Sequence, residues 1–287
     1  LALSADGNTI AAGAPFFRDP LPFVGFEDDG YVCVFHRSGT TWSKEARLDG
    51  SSADTQFGAA VALTADGNTL AVGACEVNAV YVFGRSGATW SEETHFSASS
   101  TESDDSFGRS VALSNDGNTM AIGAYLEDSN ATRINGDETD NSASNSGAVY
   151  IYVRSGANWI QEAYLKASNT EADDYFGFPL TLSADGNELL VGSQGEDSSA
   201  TGVGGNELDN SASQSGAAYL FSRLGTNWRQ DVYLKASNTE TGDGFGCSIA
   251  YSANEDDLFI GALNEASSTS FFQTDNQAPG AGAVYLY

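Results

Sequence analysis

Basic side chains are scarce in this chain. Its 287 residues hold 12 Lys and Arg against 39 Asp and Glu, a formal charge of −27. Phosphate contacts need Lys and Arg, so the balance argues against nucleic acid as a partner. Docking on anionic lipid needs polybasic segments, which are also missing. No apolar run approaches the roughly 20 residues of a membrane-spanning helix, so direct membrane insertion is not expected. Three cysteines (Cys33, Cys75, Cys247) show no Cys-x-x-Cys or Cys/His spacing and read as unpaired structural residues. The two histidines, His36 and His95, fall in non-equivalent places and read as ordinary strand or turn residues. No Gly-x-Ser-x-Gly elbow is present. Gly202-Val-Gly-Gly205 lacks the Lys and following helix of a phosphate loop. Nothing singles out a carboxylate pair for glycoside cleavage. These absences lead to the expectation that the chain is not an enzyme.

What is present is 32 Gly with Ser, Thr, Asn and Asp throughout, and 41% hydrophobic residues. That is enough apolar material for a core, so wholesale disorder is excluded and a turn-rich β protein is indicated. The chain starts at Leu1 without an initiator Met or an apolar leader, as a mature or truncated product would.

Self-similarity organises the rest. Leu1-Ala-Leu-Ser-Ala-Asp-Gly-Asn-Thr9 returns at Val61–Thr69 and Val111–Thr119, more loosely at Leu180–Glu188, and eroded at Ile249–Asp257. Phe57-Gly58, Phe107-Gly108, Phe176-Gly177 and Phe245-Gly246 precede four of these, at separations of 50, 69 and 69 residues. The chain divides into units 1–56, 57–106, 107–175, 176–244 and 245–287 of one domain. Each full unit reads as four strands. A strand after Phe-Gly reaches an Asp-Gly hairpin turn, and an apolar strand ending in Gly-Ala or Gly-Ser follows. A third strand, such as Ala148-Val-Tyr-Ile-Tyr152, leads to a turn of the kind Arg154-Ser155-Gly156. The outer strand starts at Trp42, Trp90, Trp159 or Trp228. Such a sheet cannot bury both faces alone, so the units must pack on one another. Four-stranded repeats of 50 to 70 residues predict an all-β propeller of antiparallel blades. The Phe of each Phe-Gly pair would wedge between blades. The tyrosines Tyr81, Tyr150, Tyr219 and Tyr285 share one slot and read as blade packing.

Phe-Gly at the start of a unit, with Val-Gly-Ala or Ile-Gly-Ala closing its second strand, resembles the FG-GAP repeat. That repeat builds the integrin alpha-subunit propeller and bacterial integrin-like surface proteins. The Arg-Ser-Gly-x-x-Trp turn is closer to the bacterial type. Pro15 alone supplies the proline of the signature, which Cys75, Tyr125, Gln194 and Leu263 replace elsewhere. The resemblance implies an extracellular or cell-surface binding or adhesion module, with a protein or glycan ligand and possible dependence on calcium. The alternatives are a structural subunit touching neighbouring subunits of an assembly or filament, and the scaffold of a polysaccharide-acting enzyme.

In the integrin relatives calcium sits between strands one and two. Here those stretches, at Asp6, Asp66, Asp116 and Asp185, offer one carboxylate each against the 6–8 oxygens calcium takes, and read as hairpin turns. The insertions between strands two and three are richer. Glu127-Asp128 through Asp140 aligns without gaps to Glu196-Asp197 through Asp209, so Asp128, Asp140, Asp197 and Asp209 are the candidate calcium ligands. Self-capped turns are the alternative for the same loops. Loops 126–147 and 194–216 are the expected contact surface. Acidic linkers at Asp54, Asp104-Asp105, Asp173-Asp174 and Asp243 should accept backbone N–H groups between blades. Asn130-Ala131-Thr132 is a glycosylation sequon. The first unit lacks its Phe-Gly and the fifth ends after its third strand. That suggests a five-bladed ring with a three-stranded last blade, or a piece of a propeller with six or seven blades.

Overall fold

An Asp-Gly pair closes the first hairpin of four units, with Gly7, Gly67, Gly117 and Gly186 at φ between 65° and 74° in the computed structural model. Residues 1–16, 30–50, 56–97, 104–156, 158–252, 254–267 and 277–287 are described; the linker carboxylate Asp54 lies outside them. From each hairpin the chain meanders outward. The first sheet is β1 (Ala2–Leu3), β2 (Thr9–Ala14), β3 (Tyr31–Ser38) and β4 (Thr41–Asp49). The second is β5 (Phe57–Leu63), β6 (Thr69–Ala74), β7 (Ala79–Ser86) and β8 (Thr89–Phe96). The third is β9 (Ser110–Leu113), β10 (Thr119–Ala124), β11 (Ala148–Ser155) and β12 (Asn158–Leu165). The fourth is β13 (Leu180–Leu182), β14 (Glu188–Ser193), β15 (Ala217–Leu224) and β16 (Asn227–Leu234). The fifth is β17 (Phe245–Tyr251), β18 (Leu258–Ala262) and β19 (Ala283–Leu286). Neighbours pair antiparallel in chain order throughout. The chain is thus an all-β propeller. Helix is limited, among the described residues, to one 3₁₀ turn at Cys75–Val77.

The apolar clusters lie between sheets rather than within them. Val149, Ile151 and Leu165 of the third sheet pack with Phe176, Tyr219 and Phe221 of the fourth. Phe57, Phe107, Phe176 and Phe245 are fully buried, and each meets its own third-strand Tyr edge-on at 5.2–5.5 Å. Burying each ring is worth about 2–3 kcal/mol, so the Phe-Gly pair is the wedge its position suggests. The glycine of the second strand allows the close approach. A Cβ on Gly123 would lie 2.1 Å from the carbonyl oxygen of Gly177 in the next sheet.

Two further devices tie successive sheets. The hairpins link through their backbones: Ala5 donates to Ala65 (2.9 Å), Ala65 to Asn115 (3.3 Å) and Asn115 to Ala184 (2.8 Å). At the rim, the Arg of the last three Arg-x-Gly turns grips a Glu of the preceding sheet, joined by the following Trp in two of them. Arg223 donates to Glu162 at 2.8 Å and Trp228 Nε1 to the same carboxylate at 3.1 Å, with the guanidinium over the indole. Arg85 and Trp90 hold Glu45 likewise, and Arg154 holds Glu93. Strand packing runs β2 on β5, β5 on β9, β9 on β13 and β14 on β17; no comparable packing joins β17–β19 to β1–β4 among the described residues.

Candidate functional site

The hairpin carboxylates are consumed locally. Asp6 Oδ1 accepts from Ser4 Oγ at 2.6 Å and Asn8 N at 2.9 Å, while Oδ2 accepts from Asn8 Nδ2 at 2.8 Å. These donors, the Ser4 hydroxyl first, pull the Asp6 pKa down to about 2. Asp66, Asp116 and Asp185 repeat the arrangement. Both oxygens of every turn are held by protein donors, so this donor set does not fit calcium.

The insertions are built around a different cation. Lys166 and Lys235, both fully buried, sit at the C-terminal ends of β12 and β16. Lys235 Nζ donates to Glu196 Oε2 at 2.7 Å and Ser215 Oγ at 2.6 Å. Glu196 also accepts from Tyr233 OH at 2.8 Å, Asn169 Nδ2 at 2.9 Å and Ser198 N at 3.1 Å. Lys166, Glu127, Tyr164 and Ser146 reproduce the core of the network one sheet earlier. Burial pushes both ammonium pKa values down, against the pull of the glutamates. Burial also raises the Tyr164 and Tyr233 phenols, helped by the neighbouring carboxylates.

Around this centre the four candidate metal ligands cap backbone. Asp128 Oδ1 accepts from Asn145 N and Asp197 Oδ1 from Gln214 N, both at 2.7 Å. Asp140 accepts from Ser142 N at 3.0 Å; Asp209 accepts from Ser211 N at 3.1 Å and from Ser199 Oγ. Among the described residues no three His, Cys, Asp or Glu converge on a metal-sized point. Of the linker acids, Asp174 accepts from Glu171 N and Asp243 from Glu240 N, each at 2.8 Å and within its own linker, while Asp173 accepts from the Asn145 side-chain amide at 2.8 Å. Burial drives the Asp174 pKa up to about 8. Cys33, Cys75 and Cys247 are free thiols.

Once tied to its lysine, each insertion returns along the outer strand as a strap. Gly204 N donates to Tyr233 O at 2.9 Å and Asn135 N to Tyr164 O at 2.7 Å. Between the two straps and β16 an open cleft of about 460 Å³ forms, lined among others by Arg133, Ile134, Ser168, Glu207, Arg229 and Asp231. Ser168 Oγ donates to Glu207 Oε2 and accepts from Gln230 Nε2 at 2.8 Å, while Ser168 N donates to Gln230 Oε1 at 3.1 Å. Arg229 pairs with Asp231 at 2.7 Å. The lining of the cleft thus includes a carboxylate held by a hydroxyl, an arginine, and an Arg–Asp ion pair. Sequence reasoning had missed Ser168, Glu207 and the buried lysines. The 69-residue recurrence of Tyr-Leu-Lys-Ala-Ser-Asn-Thr-Glu at 164 and 233 was the available signal.

The FG-GAP repeat matches residues 90–152, 159–221 and 228–287, well over half the chain. Each match begins at an outer-strand Trp or its counterpart and ends in the third strand of the following sheet, so the repeat straddles two sheets. No curated protein matches the sequence. Among solved structures, a periplasmic gluconolactonase of Pseudomonas aeruginosa aligns with a TM-score of 0.57 and 14% identity over 91% of this chain. The chain spans 63% of that structure's length. At this identity the likeness is one of fold. It nevertheless corrects two expectations. The non-enzymatic, integrin-alpha-like adhesion module rested on the family resemblance, and the absence of enzyme activity on the missing catalytic motifs. A propeller that carries a lactonase overturns that reasoning, because the scaffold fixes where loops go and not what they do. In the described residues no helix is long and apolar enough to cross a membrane.

Proposed function

The chain belongs to the FG-GAP repeat family of β-propellers, and on that scaffold we propose a hydrolytic function, the opening of an ester or lactone bond in a sugar-derived acid. The observation that supports the reading is the rim cleft of about 460 Å³, whose lining includes Glu207, hydrogen-bonded by Ser168, together with Arg133 and the Arg229–Asp231 pair. Glu207 is the general base that takes a proton from water as it attacks the carbonyl carbon, and it returns that proton to the leaving oxygen as the ester or ring C–O bond breaks. Ser168 and Gln230 orient it, and the Arg133 guanidinium offsets the charge gathering on the carbonyl oxygen. Arg133 favours a substrate that already carries a carboxylate, and the small Gly204 and Gly205 leave room for a pyranose-sized ring. The strongly acidic surface and the gluconolactonase's periplasmic setting support an extracytoplasmic location.

The experiment is pH-stat hydrolysis of glucono-δ-lactone and of uronic-acid esters, comparing wild type with Glu207→Gln and Arg133→Ala. Removing a general base costs roughly 10²–10⁴ in rate. Turnover no faster than buffer, or equal in wild type and Glu207→Gln, overturns the reading. A second reading, a structural subunit of an extracytoplasmic assembly, draws on the exposed apolar residues Leu1 and Leu3 on the first sheet and Val284 and Leu286 on the fifth.

A further inference from the structure

The gap between the second and third sheets differs from the gap one step along. Thr94 and Phe96 of β8 hold the places that Ala163 and Leu165 hold in β12. Ala163 and Leu165 are buried, with the strap of the third sheet against them: Ile134 bridges to Leu165 and packs on the cluster that holds both. The second sheet has no such strap. Only residues 75–78 link β6 to β7, where residues 125–147 link β10 to β11. Thr94 and Phe96 are left half-buried, beside an open groove of about 390 Å³. That size falls within the roughly 300–1,000 Å³ of small-ligand sites.

Its lining is aromatic and neutral. Phe96 stands where Leu48, Leu165 and Leu234 stand in the other outer strands, and Tyr152 where Phe35, Phe83 and Phe221 stand. The two rings meet at 4.7 Å. Trp159 completes the wall. One face of its indole is covered by Arg154, whose charge is paired with Glu93 at 2.7 Å. Trp159 is half-buried, whereas Trp228 in the next gap is buried. Gln161, two residues on from Trp159, lies on the same side of the strand, opposite Tyr152. Its Nε2 donates to Glu138 at 2.8 Å, but its Oε1 meets the Tyr152 hydroxyl only at 3.4 Å. The matching amide of Gln230 is closed onto Ser168 by two bonds. Among the described residues the Thr94 hydroxyl and the Asn158 amide have no protein partner, and no charged side chain lines the groove.

We propose that this groove is a binding site for a neutral saccharide, one sugar ring lying against Trp159 with its hydroxyls on Gln161, Asn158 and Thr94. A sugar presents an apolar C–H face and an edge of hydroxyls, which rings flanked by amide and hydroxyl groups match. An amide offers both donors and an acceptor to a hydroxyl that is itself both. The absence of a lining charge disfavours an ionised ligand, which would lose water with nothing opposite it. The groove is separate from the cleft that holds Glu207, and the site does not rest on the hydrolytic reading.

The test is isothermal titration calorimetry of the full chain with cellobiose, maltose, lactose and N,N′-diacetylchitobiose. The expected result is saturable binding of at least one of them in the millimolar range. Trp159→Leu should weaken it about fivefold to tenfold, the scale of an aromatic contact, and Asn158→Ala about threefold or more, the scale of one hydrogen bond. Asn158 is exposed, so its variant keeps the fold, and a melting curve checks that Trp159→Leu does too. The disaccharide that binds is then compared with its hexasaccharide: both results support the site, a severalfold gain marking a polymer and equal affinity a free sugar. No saturable binding by any of the four, or affinity unchanged in both variants, overturns the proposal. So does tighter binding of a uronate-ended disaccharide than of its neutral counterpart. None of these outcomes bears on the hydrolysis assay at Glu207.

Discussion

Replacing Lys235 by Met tests the idea that an ammonium organises each insertion. The side chain is fully buried and, among the described residues, reaches only Glu196 Oε2 and Ser215 Oγ. Met fills nearly the same volume, so the loss is electrostatic rather than a cavity. It leaves the Glu196 carboxylate in the interior with three neutral donors, Tyr233, Asn169 and Ser198 N. Removing one partner of a buried pair costs about 3–5 kcal/mol. An unfolding entropy of about 2.1 cal/mol/K per residue over 287 residues gives about 0.6 kcal/mol/K. A loss of about 4 kcal/mol therefore lowers Tm by about 7 °C. The assay is differential scanning calorimetry of wild type, Lys235→Met, Glu196→Gln and the double variant. Neutralising both partners removes the stranded charge, so the double variant should recover most of the loss. A single-variant drop below about 2 °C, or a double variant as damaged as the sum of the singles, would refute the reasoning.

Two further outcomes follow from the same geometry. Calcium or EDTA should leave Tm unchanged within about 1 °C, since a bound ion must raise it and Asp128, Asp140, Asp197 and Asp209 are engaged as caps; a calcium shift of several degrees contradicts this. Asp174 is buried with a folded-state pKa of about 8 against 3.8, so the folded protein keeps a proton that the unfolded chain releases. Its contribution is most favourable below about pH 4 and is lost as pH rises towards 8. Denaturant titrations from pH 4 to 8 should show Asp174→Asn flattening that decline and gaining on wild type at the alkaline end; parallel curves for the two proteins would sink the assignment.

The sheets were legible because their boundaries are written in residues with steric reasons to be there. Gly123 must be glycine for Gly177 to approach, and Phe176 must be large to fill the wedge beside Val149. Such constraints repeat with each sheet and so stand out in a single chain. Lys166 and Lys235 were harder to see, because a Lys in an acidic loop-rich protein reads as surface. Their burial depends on a glutamate 39 residues away in the sequence. The Arg-Ser-Gly-x-x-Trp turn was legible as a turn, but its grip on Glu45, Glu93 or Glu162 belongs to the preceding sheet. The cleft was out of reach for the same reason. Ser168, Glu207 and Gln230 come from a linker, an insertion and an outer strand, and only the straps bring them together.

Because each apolar cluster is shared by two sheets, a core substitution in this molecule has two owners. Weakening Val149 loosens the fourth sheet as much as the third, and a chain cut between them leaves each with one oily side. Damage therefore spreads along the arc from neighbour to neighbour instead of staying where it began. A protease that nicks the chain between the second and third sheets, or the third and fourth, should release multi-sheet pieces.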